Sequence, residues 1–77
     1  MLAIASIIHT AAPDSVATHA DAHRRYLAEL RTHGKLVASG PFETRTGGAV
    51  LLDVQDEAEA ETLLATEPYK TNGVARH

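Results

Sequence analysis

Cysteine is absent from the sequence, which excludes disulfide staples and thiolate metal ligands. Tryptophan is absent too, and Tyr26, Phe42 and Tyr69 are the only aromatic residues. A basic surplus is also missing. With 7 Lys and Arg against 10 Asp and Glu, the formal net charge is −3, so nucleic acid is not expected as a partner. The longest apolar run, Leu2 to Ile8 interrupted only by Ser6, falls well short of the roughly 20 residues of a membrane span. It also lacks the basic flank and small-residue cleavage site of a secretory signal, so no membrane partner and a cytoplasmic location are expected. Glycine and proline, 5 and 3 residues, are too few for a low-complexity or collagen-like chain.

What is present is an ordinary globular balance, 44% hydrophobic and 22% charged, over 77 residues. That length accommodates one domain, residues 1–77. A monomer of this size buries only about 60% of its unfolded surface. Without disulfides to compensate, the expected source of further stability is association, and a homodimer is the simplest form of it.

Proline and glycine divide the chain into short segments. Leu2 to Thr10, rich in Ile and Ala and closed by Ala11-Ala12-Pro13-Asp14, reads as a central strand covered on both faces. From Thr18 the period changes. Thr18 and Asp21 have capping-box spacing, Ala20, His23, Leu27 and Leu30 fall on one helical stripe, and Gly34 supplies the stop. Arg24, Arg25, Glu29 and Arg31 lie off that stripe and read as a solvated face. Lys35 to Ser39 and Ala49 to Val54 read as a loose hairpin, the first strand ended by Gly40-Pro41 and the second entered through Gly47-Gly48. Asp56 and Glu59 cap a short helix carrying Ala60, Leu63 and Leu64, which must end before Pro68. Residues 67–73 read as a turn, and Val74 to His77 as a short or truncated final strand. The order β-α-β-β-α-β predicts an α+β, ferredoxin-like antiparallel sheet with its helices on one face.

The segments Ala22-His23-Arg24-Arg25-Tyr26-Leu27, Gly34-Lys35-Leu36-Val37-Ala38-Ser39-Gly40-Pro41 and Glu67-Pro68-Tyr69 with Gly73-Val74 resemble the YCII-related family over nearly the whole chain. The resemblance implies a dimeric α/β barrel in which an inward histidine of the first helix pairs with the acid of an Asp-Pro-Phe/Tyr motif. It also implies acid–base chemistry on small ring compounds, with dehydrochlorination of chlorinated hydroxyquinols assigned in some members. His23 matches the helix histidine. Glu67 stands where the aspartate normally stands, one methylene longer. His9 occupies a position where some members carry aspartate. Relatives usually continue for ten or more residues past the position of His77.

His23 is the sharpest candidate, because its stripe turns an ionisable ring toward the sheet. If Glu67 reaches it, the carboxylate sets the tautomer and favours the protonated form, leaving the other ring nitrogen to move a substrate proton. The alternatives are a core histidine bonded to a backbone carbonyl, and for Glu67 a simple cap at a helix-to-turn junction. His9, Ser39, Tyr69 and His77 are the further candidates for contacting a substrate. His9 and His77 are also the residues that a metal site would draw on, but the five histidines match no zinc signature and no metal is expected. Tyr26 reads as core packing, and Arg45 as either solvated or a partner for an anionic group. No organic cofactor is expected, because Gly47-Gly48 precedes a strand rather than a helix. The function expected is a lyase or isomerase acting through His23 and Glu67 on a small cyclic or phenolic substrate. The alternative is a non-catalytic dimerising module that holds a small ligand.

Overall fold

The computed structural model describes all residues, Met1 to His77. Its elements run β1 (Leu2–His9), α1 (Pro13–Thr18), α2 (Ala20–Thr32), β2 (Leu36–Pro41), β3 (Gly47–Asp53), α3 (Glu57–Leu64), α4 (Pro68–Thr71) and β4 (Ala75–Arg76). The four strands form one antiparallel sheet in the order β2-β3-β1-β4, the ferredoxin-like arrangement.

The core lies between one face of this sheet and the helices. Ile7, Val50, Leu52 and Leu36 from the strands meet Leu30 of α2 and Ala60 of α3, with Leu52 fully buried. Burial alternates along β1, so Ala3, Ala5 and Ile7 face the helices while Leu2 and Ile4 point the other way. Those two are 64% and 76% exposed. The expectation of a strand covered on both faces therefore fails within one chain. An Ile- and Ala-rich run has the composition of a two-sided strand, but all the helices of this short chain lie on the same side.

Two further elements were not legible in the sequence. The Ala-Ala-Pro-Asp cluster opens α1, since Pro13 at the first helical position sacrifices no hydrogen bond. With that turn of helix in place, the Thr18 hydroxyl donates back to the Asp14 carbonyl at 3.1 Å, and α2 starts from His19 without a side-chain cap. The turn after Glu67 likewise contains α4, again with proline at its start.

The capping signature at Asp56 forms as read. Its carboxylate accepts the Glu59 N–H at 2.8 Å, and Glu59 in turn accepts the Gln55 N–H and pairs with Lys35. Asp56→Ala is expected to cost about 1 kcal/mol, and a thermal melt should show the midpoint lower by roughly 4–8 °C.

The β2–β3 hairpin is longer than the sequence implied. Gly40 and Pro41 pair with Ala49 and Gly48, and Gly47 with Ile8, so Gly40-Pro41 and Gly47-Gly48 both lie inside the sheet ladders rather than outside them. A Cβ on Gly47 would stand 2.0 Å from the Ile7 carbonyl oxygen, and one on Gly48 2.6 Å from that of Gly40. Only glycine lets three strands approach this closely. Their bare backbone forms part of the floor of the cavity described next.

Candidate active site

A cavity of about 400 Å³ opens between α2, α4 and the adjoining ends of β1, β2 and β3. His9, His23, Ser39 and Tyr69, which the sequence singled out from four separate segments, all line it. Each arrives by a different local rule. His9 shares the helix-facing side of β1 with Ile7, two residues earlier. Ser39 lies opposite Val50 in the register of β2 and β3. His23 projects from the inward stripe of α2, and Tyr69 from the single turn of α4.

Behind His23 sits Glu67, a carboxylate with no exposed surface. Its Oε1 accepts from His23 Nδ1 at 2.7 Å and from the Tyr69 N–H at 3.0 Å. Its Oε2 accepts from the Lys70 N–H at 2.9 Å and from His77 Nε2 at 3.1 Å. Four donors thus meet the four lone-pair directions of one carboxylate. Burial pushes the Glu67 pKa up, but the hydrogen bonds from His23, the Lys70 and Tyr69 amides and His77 outweigh it and hold the carboxyl at about 2. The two readings of Glu67 offered by the sequence, helix cap and histidine partner, are realised together: the cap of α4 orients the oxygens that hold His23.

An ionised carboxylate only accepts hydrogen bonds, so His23 Nδ1 must carry the proton of that contact. Neutral His23 is therefore the Nδ1–H tautomer, with a lone pair on Nε2. Nε2 makes no hydrogen bond within the protein, and no buried side-chain nitrogen lacks a partner, so it lies at the cavity surface. The ring is held further by stacking on Tyr69, with centroids 4.3 Å apart and planes 16° apart. Tyr69 also meets the edge of His9 at 5.6 Å. Tyr26, one turn along α2, donates its hydroxyl to the Leu63 carbonyl at 2.7 Å and ties α2 to α3.

Burial and the nearby Glu67 charge raise both phenols, Tyr26 to about 12, while Arg24 partly offsets the rise at Tyr69. Both tyrosines stay protonated at neutral pH; the Tyr26 hydroxyl is committed to Leu63, and Tyr69, which lines the cavity, is a donor rather than a base. His77 lies on the far oxygen of Glu67, with its side chain 14% exposed, and not among the residues lining the cavity. No three His, Asp or Glu side chains are arranged to hold a metal ion. Arg24, read from the sequence as part of a solvated face, also lines the cavity while pairing with Asp21. Helical spacing places its Cα correctly but underestimates how far a long side chain bends back over the neighbouring groove.

The geometry has the parts that acid–base catalysis requires: a tautomer set by a saturated anion, and a free ring nitrogen facing a cavity. The YCII-related domain matches residues 2–77, essentially the whole chain. The protein belongs to the YCII-related family. No curated protein matches this YCII-related chain by sequence. Among solved structures it is similar to the dehydrochlorinase TftG of Burkholderia phenoliruptrix AC1100, which acts on 5-chloro-2-hydroxyhydroquinone and was solved with 2,5-dihydroxybenzoquinone. The TM-score is 0.68 at 21% identity, over 100% of this chain and 87% of that one. At that identity the likeness bears on the fold of the YCII-related protein, while its site rests on the contacts above.

Proposed function

We propose that this YCII-related protein is an acid–base catalyst of lyase or isomerase type acting on a small cyclic or phenolic substrate. The observation that carries the proposal is the one-sided engagement of His23: Nδ1 committed to Glu67, Nε2 free at a cavity lined by Tyr69, Ser39 and His9. In this reading Nε2 takes a proton from the substrate, and the fixed Glu67 charge sits against the imidazolium that forms. Glu67 keeps its own ionised state, because all its lone pairs are already engaged. It is a positioning residue, and His77 supports it from behind. Ser39, His9 and the Tyr69 hydroxyl orient the ring.

Dehydrochlorination is a representative reaction: a proton leaves to the base, the carbon–chlorine bond breaks, and chloride departs with its electron pair. Neither an oxidant nor an organic cofactor is required. TftG gives the first substrate to try, and chloride release from 5-chloro-2-hydroxyhydroquinone is the direct assay. Simple phenols and lactones incubated in heavy water extend it to proton transfer in general. Catalysed chloride release or carbon-bound deuterium uptake is expected. Binding of these compounds with neither outcome would make the protein a ligand-holding module instead.

The proposed active form is a cytoplasmic homodimer. It is supported by the apolar sheet face opposite the helices, where Leu2, Ile4 and Val37 stand exposed beside Met1. No helix is long and apolar enough to cross a membrane, and a second copy of the same sheet would cover this face. Ile4→Glu places a charge in its middle, opposite Leu51. It is expected to weaken association at least tenfold, as a rise in the midpoint of a dilution series followed by light scattering. An unchanged midpoint would place the interface elsewhere.

A further inference from the structure

The proposed chemistry uses one cavity, and a second of about 370 Å³ adjoins it. His9 lines both and is the one residue their linings share. Its lining is apolar where α1 contributes Pro13, Val16 and Ala17, and polar where the β2–β3 loop contributes Arg45 and Thr46.

Arg45 is held in an unusual way. Its φ is 62°, and it is the only non-glycine residue with a positive φ. That conformation costs an L-residue on the order of 1 kcal/mol and is avoided unless the surroundings impose it. Here the loop is pinned on both sides of it. The Arg45 N–H donates to the Phe42 carbonyl at 3.0 Å, and the Thr46 carbonyl accepts from the His9 N–H at 2.9 Å. The Thr44 and Thr46 hydroxyls are bonded to each other at 2.8 Å. The guanidinium itself has no carboxylate partner, although Glu43 lies two residues away. A pinned loop thus places an exposed, permanently charged, donor-only residue in the lining of a partly apolar cavity beside the proposed ring site.

We propose that the second cavity is a subsite for a short carboxylate-bearing substituent of the ring substrate, paired with Arg45. The inference rests on the proposed function in placing the ring next door, and it narrows the substrate class to cyclic or phenolic acids. The occupant is anionic, because the exposed Arg45 guanidinium has no carboxylate partner and offers only donors, while Pro13, Val16 and Ala17 offer no competing acceptor. The preference has to be local, since the chain as a whole carries a charge of −3 and repels anions at long range. The tail has to be short, because the two cavities meet at a shared residue, His9.

Calorimetric titration with para-hydroxyphenylacetate and with its neutral counterpart tyrosol tests this directly. The wild type is expected to bind the acid at least about tenfold more tightly than the alcohol, the margin of a charge-assisted pair. In Arg45→Gly the preference should fall to near unity. Glycine adopts a φ of 62° freely, so this variant should melt no lower than the wild type, and lost binding would not reflect lost folding. Arg45→Gln, which keeps a long polar side chain without the charge, should lose the preference to the same extent. Equal affinity for acid and alcohol in the wild type, failure of both to bind, or a preference that survives in both variants would overturn the proposal. The last result would transfer the role to Arg24. Because binding is the readout, absence of chloride release or deuterium uptake with the preference intact would sink only the catalytic reading. Loss of the preference with catalysis intact would sink only the subsite.

Discussion

Glu67→Gln is expected to lower the thermal midpoint by roughly 20 °C, from a loss of about 4 kcal/mol. The substitution keeps the shape and removes the function of the group. One oxygen becomes an amide nitrogen, which has hydrogens where two of the four donors now find lone pairs. Either His23 and the Tyr69 amide or His77 and the Lys70 amide then face another donor at a group with no exposed surface. Leaving buried donors unmatched costs more than the net worth of the bonds themselves. The cap of α4 weakens with it, and α4 carries the Tyr69 ring on which His23 stacks.

The pH dependence has a definite sign. The folded-state pKa of Glu67, about 2, lies below its ordinary value of 4.5, so the carboxylate contributes stability that is fully present above that value. The contribution is lost as pH falls from 4.5 toward 2. Melts recorded across that window should show a steeper fall for the wild type than for Glu67→Gln, with the two proteins converging at the acid end. The His23 ring nitrogens provide a second readout by NMR. The neutral wild-type ring is expected to carry its proton on Nδ1, and the variant to redistribute it toward Nε2. A variant that melts with the wild type and keeps its tautomer would show that the carboxylate neither holds the fold nor sets the ring.

His23→Gln is expected to reduce turnover of whichever ring substrate the chloride and deuterium assays identify by about 10²–10⁴-fold, the usual contribution of a positioned general base. Most of the loss should appear in kcat. KM should change little, because the cavity walls at Ser39, Gly48 and Val50 are untouched. Glutamine keeps a donor within reach of Glu67 and spares the protein an unmatched buried carboxylate. The His77 counterpart separates proton transfer from positioning. His77→Gln should retain most activity and His77→Ala should lose part of it, since that side chain supports Glu67 and does not line the cavity. Equal losses at positions 23 and 77 would contradict the division of roles.

Much of this was legible along the chain. The inward direction of His23 follows from helical spacing with Ala20, Leu27 and Leu30, and the order of strands and longer helices along the chain from the alternation of Ile- and Val-rich runs with amphipathic stretches. The cap at Asp56 is a local rule and formed as read. The short α1 and α4 escaped because one turn of helix is too brief to show a period, and proline there marks a beginning as readily as a break.

What the amino-acid order determined by itself is therefore local: periodicity, caps, glycine in the crowded ladder, and the chemical types available. Only the tertiary structure decided which of them meet. His23 and Glu67 are 44 residues apart, and nothing between them specifies that the start of α4 returns beside the first turn of α2. The sheet order does that, and with it a carboxylate that capping rules alone would leave in solvent becomes fully buried with four donors around it. The same folding decided the two faces of β1. Hydrophobic composition registers that a strand resists water but not which neighbour covers it, and the placement of every helix on one side leaves Leu2 and Ile4 facing outward.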